Sequence, residues 1–218
     1  MTKKTIKIYG QKRCGTNLME RLLVDSGHEV RTNKPEWKHG PISSNIFEDG
    51  SVHHVVICIR NPIAWVVSNR KHDVFLRENK VGEERWLTID EWARRDDDYL
   101  RWAALNPDRC HVVDTVALMM HPEKNLQVLR DVGLVSEVVK ELPTNKMSMN
   151  GFEEQTVFDP SYYAEKKYHL EAHASDWVAA GMALLDYPLL GRAWYDWFSQ
   201  SAPTWDKDGK YLEQLIDD

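Results

Sequence analysis

Residues 5–23 of the chain read TIKIYGQKRCGTNLMERLL, and their pattern gives the strongest indication of the fold class. Ile6 and Ile8 alternate with Lys and Tyr, which predicts a short strand that ends at Gly10. From Leu18 onward the apolar residues change to helical spacing, so a helix is expected to follow. A strand, a glycine-containing turn and a helix in this order bring backbone amides to the positive end of a helix dipole. Such a turn is a binding site for an anion such as a phosphate.

The connecting segment, residues 10–17, reads GQKRCGTN. Its two glycines permit a tight turn and let the backbone approach a ligand closely. Thr16 or Asn17 is predicted to cap the following helix, because both types accept hydrogen bonds from helix amides. Lys12 and Arg13 add two formal positive charges to the same turn.

This segment has the glycine spacing of a Walker A motif but not its Lys-Ser/Thr pair. Gly10 and Gly15 stand five positions apart, whereas Thr16 and Asn17 occupy the positions of the pair. In a kinase or ATPase that lysine reaches the β- and γ-phosphates, and the hydroxyl holds magnesium. The sequence therefore disfavours a magnesium-dependent phosphoryl transferase. A basic turn with a purely structural role is the simpler alternative.

Composition and length limit the classes of protein to which the chain can belong. The chain has 218 residues, of which 42% are hydrophobic and 28% charged, as in one globular α/β domain with a substantial core. The formal net charge of −6 disfavours general nucleic-acid binding, so any positive site must be local. We find neither a signal peptide nor an apolar run of about eighteen residues that could span a bilayer, and we expect a cytosolic protein.

Cysteines and tryptophans carry weaker signals. Cys14, Cys58 and Cys110 are odd in number and widely spaced, which predicts neither a disulfide framework nor a zinc site. Nine tryptophans are a high count. Most are expected in the core, because aromatic side chains dominate core area. Alternatively, one or two line an acceptor pocket, since ligand pockets are largely aromatic.

Strands and helices alternate along the first part of the chain. Further strands are predicted over 28–32, 53–59 and 110–113. Helices are predicted over 62–72, over 88–105 with Thr88 and Glu91 as a capping box, and over 121–133. This alternation predicts a parallel sheet covered by helices on both faces. After residue 143 the sheet pattern fades into a long loop and then helices over 161–173 and 176–200, interrupted near Pro188 and Gly191.

A second anion-binding element follows the strand at 53–59. Arg60 stands at the carboxyl end of this apolar strand, where ligands of open α/β sheets bind. Ser68 is eight residues further on, about two turns into the next helix. A guanidinium and a hydroxyl could converge there on one phosphate.

With these two elements the chain resembles the sulfotransferases that use 3′-phosphoadenosine 5′-phosphosulfate (PAPS). Their loop after the first strand reads Lys/Arg-Ser-Gly-Thr, and residues 13–17 are similar to it, with Cys14 in place of the serine. Their second motif is an arginine at a strand end with a serine eight residues later, which Arg60 and Ser68 match. Residues 112–134 look like the family's following strand and Pro-Glu helix. Leu18 stands where cytosolic members often have an adenine-stacking tryptophan.

The resemblance implies a three-layer P-loop-like fold with a central parallel sheet and a helical C-terminal region. In these terms residues 1–218 form one domain, with a nucleotide-binding core over 1–135 and an acceptor-side region over 136–218. The implied reaction transfers a sulfuryl group from PAPS to a hydroxyl or amine of a small-molecule, carbohydrate or lipid acceptor. It needs no metal and leaves adenosine 3′,5′-bisphosphate (PAP).

The resemblance also implies roles for individual residues. PAPS is expected to contact the whole turn and the second motif, which together comprise Lys12, Arg13, Cys14, Gly15, Thr16, Asn17, Arg60 and Ser68. Lys12 and Arg13 would stabilise the charge that grows on the leaving oxygen. His39, which follows a lysine in the loop before the Arg60 strand, is the candidate general base, and Glu36 is the alternative.

Two other functions remain open at this point. One is a P-loop nucleotide or small-molecule kinase that uses ATP and magnesium. The other is a non-catalytic nucleotide-binding protein that has the same fold. Magnesium-dependent ATP binding would favour the first, and PAP affinity without turnover would favour the second.

Overall fold

The fold is an α/β architecture in which helices flank a central parallel sheet. The computed structural model describes residues 2–32, 37–48, 50–78, 87–143 and 160–202. Within them the sheet has four strands: β1 (Thr5–Gly10), β2 (Glu29–Arg31), β3 (His54–Ile59) and β4 (Cys110–Asp114).

The strand order places the two predicted anion-binding elements side by side. The order is β2-β1-β3-β4 and all three pairings are parallel, with Ile8 opposite Val56 and Ile57 opposite Val112. From β1 the chain first adds β2 on one side and then β3 on the other. The carboxyl ends of β1 and β3 therefore form a topological switch point, which is where open α/β sheets bind ligands.

Nine helices accompany the strands in the described ranges. They are α1 (Thr16–Asp25), α2 (Pro62–Glu78), α3 (Ile89–Leu105), α4 (Thr115–Met120), α5 (Pro122–Asp131), α6 (Pro160–Ala164), α7 (Lys167–Glu171), α8 (Ala174–Asp186) and α9 (Pro188–Ser201). Helix α1 packs on β1 and β2, and α3 packs on β3 and β4. None of the helices described is long and apolar enough to cross a membrane.

The core forms because β3 is apolar on both faces. Val55, Val56, Ile57 and Cys58 are all fully buried, as expected of a central strand in a helix-covered parallel sheet. A smaller apolar cluster joins α2 and α4 to α7 and α8 around Tyr168. Burial of these side chains provides the main stabilising free energy and holds the C-terminal helices against the core.

Most sequence predictions of the elements are confirmed. All four strands occur close to the predicted bounds, and α3 begins with the predicted capping box between Thr88 and Glu91. The break at Pro188 is also observed, because one helix ends at Asp186 and the next begins at Pro188.

Five details of the prediction are wrong. The helix predicted over 161–173 is two short helices, α6 and α7, because Lys166 between them adopts a left-handed backbone. The cap of α1 is Gly15, in the left-handed region and without a side-chain hydrogen bond, rather than Thr16 or Asn17. Helix α2 continues to Glu78 instead of ending near residue 72, and no glycine or proline interrupts it. Helix α4 was not predicted; Asp114 starts it by accepting hydrogen bonds from two amides of its first turn. Gly191 does not interrupt α9 but lies inside it, against the carbonyl of Leu184.

Candidate functional site

The turn after β1 owes its shape to two glycines that no larger residue could replace without displacement of neighbours. A Cβ on Gly10 would lie 2.5 Å from the carbonyl oxygen of Cys58 on β3. A Cβ on Gly15 would lie 2.9 Å from the Thr115 side chain, and Gly15 also has a φ of 77°. Because β1 and β3 are adjacent, the turn sits directly on the end of the sheet. Arg13 has a φ of 70°, an uncommon backbone conformation for a residue with a side chain.

The turn presents the first amides of α1. Cys14 N–H donates to the carbonyl of Gln11 at 3.1 Å, so that amide serves the turn itself. The N–H groups of Gly15, Thr16 and Asn17 donate to no backbone carbonyl in the part of the chain that the structure describes. Amides at a helix start lack intrahelical acceptors, and together with the dipole they attract an anion. These three amides are therefore the ones that the predicted anion site would use.

Arg60 joins the turn to the second predicted element. Its Nη1 donates to the carbonyl oxygen of Arg13 at 2.6 Å, and its Nη2 donates to the hydroxyl of Tyr163 at 2.5 Å. Arg13 Nε in turn donates to Ser68 Oγ at 3.3 Å. Arg60 is buried, and its Nε has no hydrogen-bond partner within the described residues. Arg13 therefore links Arg60 to Ser68, and Tyr163 is an additional member of this cluster; the predicted binding of a phosphate by Arg60 and Ser68 stays a prediction.

Lys12 lies on the other side of the turn. Its Nζ is 5.3 Å from the centre of the Trp37 ring, within the range of a cation–π interaction. The carbonyl of Lys12 accepts a hydrogen bond from the indole of Trp65 at 2.9 Å. Trp65 stacks on Trp92 with 5.4 Å between ring centres, so the backbone at Lys12 is anchored to the core.

His39 is held against the start of the same turn. Its Nδ1 is 2.6 Å from the carbonyl oxygen of Gly10, and the residue is buried. A carbonyl can only accept, so this bond assigns the proton of a neutral imidazole to Nδ1 and the basic lone pair to Nε2. The edge of the ring also meets Trp37, with 4.8 Å between centres. Glu36, the alternative base, lies outside the described residues.

Cys14, Thr16 and Asn17 contribute less through their side chains than through the backbone. Cys14 is completely buried, and burial raises the pKa of its thiol well above the ordinary value, so the thiol stays protonated. Thr16 is buried as well. The Asn17 side chain accepts a hydrogen bond from Lys38 Nζ at 2.6 Å, and Lys38 also pairs with Glu20 at 3.2 Å.

Two fully buried polar residues, Gln11 of the turn and Asp96 of α3, accompany the site. Asp96 on α3 is fully buried, and neither of its carboxylate oxygens accepts a hydrogen bond within the described residues. Burial raises the pKa of Asp96 well above its usual range, which favours a neutral carboxylic acid. The amide of Gln11 is also fully buried without a described partner.

Asp114 marks the end of β4, next in the sheet after β3. Its carboxylate accepts hydrogen bonds from the amides of Val116 and Ala117. Burial raises the pKa of Asp114 to about 6, an effect that these two hydrogen bonds and the charge of Arg60 oppose. The side chain serves the start of α4 and adds a carboxyl group near Arg60.

Two adjoining cavities open beside His39. The inner one, of about 230 Å³, is lined by Gln11, Lys12, Trp65 and Asn69 among others. The outer one, of about 530 Å³, is lined by side chains that include Arg94, Tyr99 and Trp102. Trp37, His39 and Arg95 line both cavities. Their described lining residues fall between positions 11 and 102, whereas the acceptor-side region is predicted over 136–218.

Three residues of the site were not singled out by the sequence analysis. Tyr163 reaches Arg60 only because α6 packs against the core, a contact between positions 103 residues apart. Trp37 and Arg95 line both cavities because of how the loop that contains Trp37 and helix α3 pack. The high tryptophan count was the only signal, and two tryptophans, Trp37 and Trp102, line the outer cavity.

The described residues contain no group of three or more His, Cys, Asp or Glu side chains placed to hold a metal ion. No protein-family model matches the chain, and neither curated proteins nor solved structures show significant similarity to it.

Proposed function

We propose that the chain is a sulfotransferase with a P-loop-like fold, which transfers a sulfuryl group from PAPS to an acceptor hydroxyl or amine. The observation that carries the proposal is the convergence of Arg13, Arg60 and Ser68 at the switch point between β1 and β3. Two guanidinium groups, a hydroxyl and the first amides of a helix are the donor types that bind phosphate.

The donors around the turn would suit a ligand with two anionic groups. The amides of Gly15, Thr16 and Asn17, with the side chains of Lys12 and Arg13, would hold the 5′-phosphosulfate. Arg60, whose Nε has no described partner, and Ser68 would hold the 3′-phosphate. Binding of that phosphate would replace the hydrogen bond from Arg60 to Tyr163 with stronger charge-assisted bonds.

PAPS supplies an activated sulfuryl group, and the residues of the chain supply orientation, charge and a base. As the acceptor oxygen forms its bond to sulfur, the bond from sulfur to the bridging phosphate oxygen breaks, and negative charge develops on that oxygen. Lys12 and Arg13 stabilise this charge in the transition state. His39 Nε2 takes the acceptor proton, and the hydrogen bond from Nδ1 to Gly10 keeps the ring in the required tautomer. The products are PAP and the sulfated acceptor.

Calorimetric titration of the purified protein tests the nucleotide part of this proposal. We expect PAP to bind with micromolar affinity in the presence of EDTA, and ATP with magnesium to bind more weakly than PAP. Tight binding of magnesium-ATP with no PAP signal would contradict the proposal in favour of a kinase. PAP binding without sulfuryl transfer to any acceptor would instead indicate the non-catalytic nucleotide-binding protein.

A further inference from the structure

The outer cavity, defined by Trp37, His39, Arg94, Arg95, Tyr99 and Trp102, has features that narrow the class of acceptor. Its volume of about 530 Å³ lies in the range of sites for small molecules. It joins the inner cavity through Trp37, His39 and Arg95, which line both. A molecule bound in the outer cavity would therefore extend one end toward His39 and the turn after β1.

One wall of the outer cavity is aromatic and fixed in place. Tyr99 donates its hydroxyl hydrogen to the carbonyl of Gly40 at 2.7 Å, which leaves the ring to form the wall. Trp102 packs against Phe47 with 5.5 Å between ring centres. Side chains that are held in this way bind a flat or ring-shaped ligand with little loss of conformational entropy.

Two adjacent arginines on α3, Arg94 and Arg95, give the outer cavity a charged region in addition to its aromatic wall. Neither Arg94 nor Arg95 forms an ion pair within the described residues. Arg95 makes one long hydrogen bond, from Nη1 to the carbonyl of His39 at 3.5 Å. Asp98 also lines the cavity, so the described lining residues carry an excess of one positive charge in a chain whose net charge is −6.

Arg101, on the same helix, differs from Arg94 and Arg95 because it forms an ion pair. Arg101 pairs with Asp97 at 3.0 Å, and Asp97 additionally accepts hydrogen bonds from the amides of Leu189 and Leu190. That pair fastens α3 to the start of α9. The arginines at the cavity have no such structural role, and guanidinium groups bind carboxylate or sulfate in a two-pronged geometry.

We propose that the outer cavity binds the acceptor, and that this acceptor is a hydroxyl-bearing ring compound with an anionic substituent. The ring lies against Tyr99 and Trp102, the anionic group binds Arg94 and Arg95, and the hydroxyl points toward His39. The reaction itself is that of the proposed sulfotransferase, on which this inference rests. The ring can belong to a phenol or to a sugar, since both combine an apolar face with a hydroxyl.

Two matched ligand pairs test the anionic preference and distinguish the two ring types. The phenolic pair is 4-hydroxyphenylacetate and 4-hydroxyphenylacetamide; the sugar pair is methyl β-D-glucuronoside and methyl β-D-glucoside. Affinities are measured calorimetrically with and without saturating PAP. In at least one pair we expect the anionic member to bind about tenfold more tightly than its neutral counterpart. The pair that shows this difference identifies the ring type.

Variants locate the effect in the cavity. Arg94→Gln is expected to remove most of the anionic preference, whereas Arg101→Gln, the same change on the same helix but outside the cavity, should retain it. Thermal melting verifies that both variants are folded. Equal affinity for both members of each pair, or no binding of any of the four compounds, would overturn the inference.

The same experiment separates this inference from the proposed function. If PAP binds and the anionic preference is absent, the acceptor assignment fails while the nucleotide site stands. If the anionic preference is present and depends on Arg94, but PAP does not bind, the proposed function fails and the outer cavity remains an anion-selective ring site.

Discussion

The two sides of the turn after β1 differ in how their cations are held. On the side of β3, Arg13 and Arg60 are joined to Ser68, Tyr163 and the backbone of the turn itself. On the side of α3, Arg94 and Arg95 line an open cavity without ion pairs in the described residues. The first arrangement fixes its cations before any ligand binds, whereas no ion pair fixes the two arginines of the second. We infer that the proposed nucleotide side is rigid, and that on the proposed acceptor side the arginines can adjust to a ligand while the aromatic wall of Tyr99 and Trp102 stays fixed.

His39 stands between the two sides, and its replacement should have the largest effect. His39→Ala is expected to reduce sulfuryl transfer by about 10²- to 10⁴-fold, because the general base is lost, while PAP affinity stays within about threefold. Single-turnover kinetics with the tightest-binding acceptor, combined with PAP titration, measure both quantities.

His121→Ala is a suitable control for this variant. His121 is exposed at the start of α5 and makes no side-chain capping bond. Its replacement should leave both turnover and PAP affinity unchanged. Retention of full turnover by a folded His39→Ala protein would exclude His39 as the base.

A substitution at Gly15 should disrupt the tightly packed turn after β1. Gly15→Ala combines a strained positive φ with a 2.9 Å contact to Thr115, and we expect the free energy of unfolding to fall by about 2–4 kcal/mol, with loss of PAP binding. Gly27→Ala isolates the backbone contribution, because Gly27 also has a positive φ but no atom within 4 Å of the position that a Cβ would take. Urea denaturation should show a cost of about 1 kcal/mol there. Equal costs at the two glycines would contradict the tight packing of the turn.

Replacement of Arg60 tests whether the linked side chains of Arg13 and Arg60 bind the nucleotide. Arg60→Ala should weaken PAP binding by about 10- to 100-fold, since hydrogen bonds to a charged group are lost. Tyr163→Phe removes the hydroxyl that Arg60 contacts and keeps the ring, so PAP affinity should change by less than about threefold. A larger effect of Tyr163→Phe than of Arg60→Ala would argue for a structural role of this cluster.

Asp96, whose charge acts on Cys14 of the turn and on Tyr99 of the outer cavity, has the smallest expected effect. Because burial raises its pKa, the folded chain binds this proton more tightly than the unfolded chain, and the free energy of unfolding decreases as pH rises above about 4. Asp96→Asn should remove this penalty and stabilise the protein by about 1–2 kcal/mol at pH 7, with little change at pH 4.

Asp97→Asn is a control for Asp96→Asn, because it should lower the free energy of unfolding instead of raising it. The carboxylate of Asp97 accepts hydrogen bonds from two amides of α9 and pairs with Arg101, so its neutralisation should destabilise the fold. Denaturation curves at pH 4 and pH 7 compare the two variants. Destabilisation of Asp96→Asn at pH 7 would show that the Asp96 carboxylate has a stabilising partner.

Local features of the chain were predictable from sequence, because each depends on neighbours in the chain. The alternation around Ile6 and Ile8, the apolar run of β3 and the capping box at Thr88 all gave correct elements. The cap of α1 was predicted wrongly because side-chain preference does not register that Gly15 adopts a left-handed backbone close to Thr115.

The site was predictable only in part for a related reason. The spacing of Arg60 and Ser68 pointed to one anion site, and the parallel sheet brings both to the turn. Tyr163, Trp37 and Arg95 could not be assigned, since their positions depend on how distant helices and loops pack. No local sequence pattern encodes a contact such as that between Arg60 and Tyr163.

A ligand-by-variant cycle at Arg60 isolates the contribution of this residue to binding of the 3′-phosphate. Metal-free calorimetry would compare PAP with AMP, which lacks the 3′-phosphate, on the natural protein and on Arg60→Ala. If Arg60 binds the 3′-phosphate, PAP should bind at least about tenfold more tightly than AMP to the natural protein, and this preference should vanish in the variant. A preference for PAP that is the same in both proteins, or that is absent from the natural protein, would contradict the account.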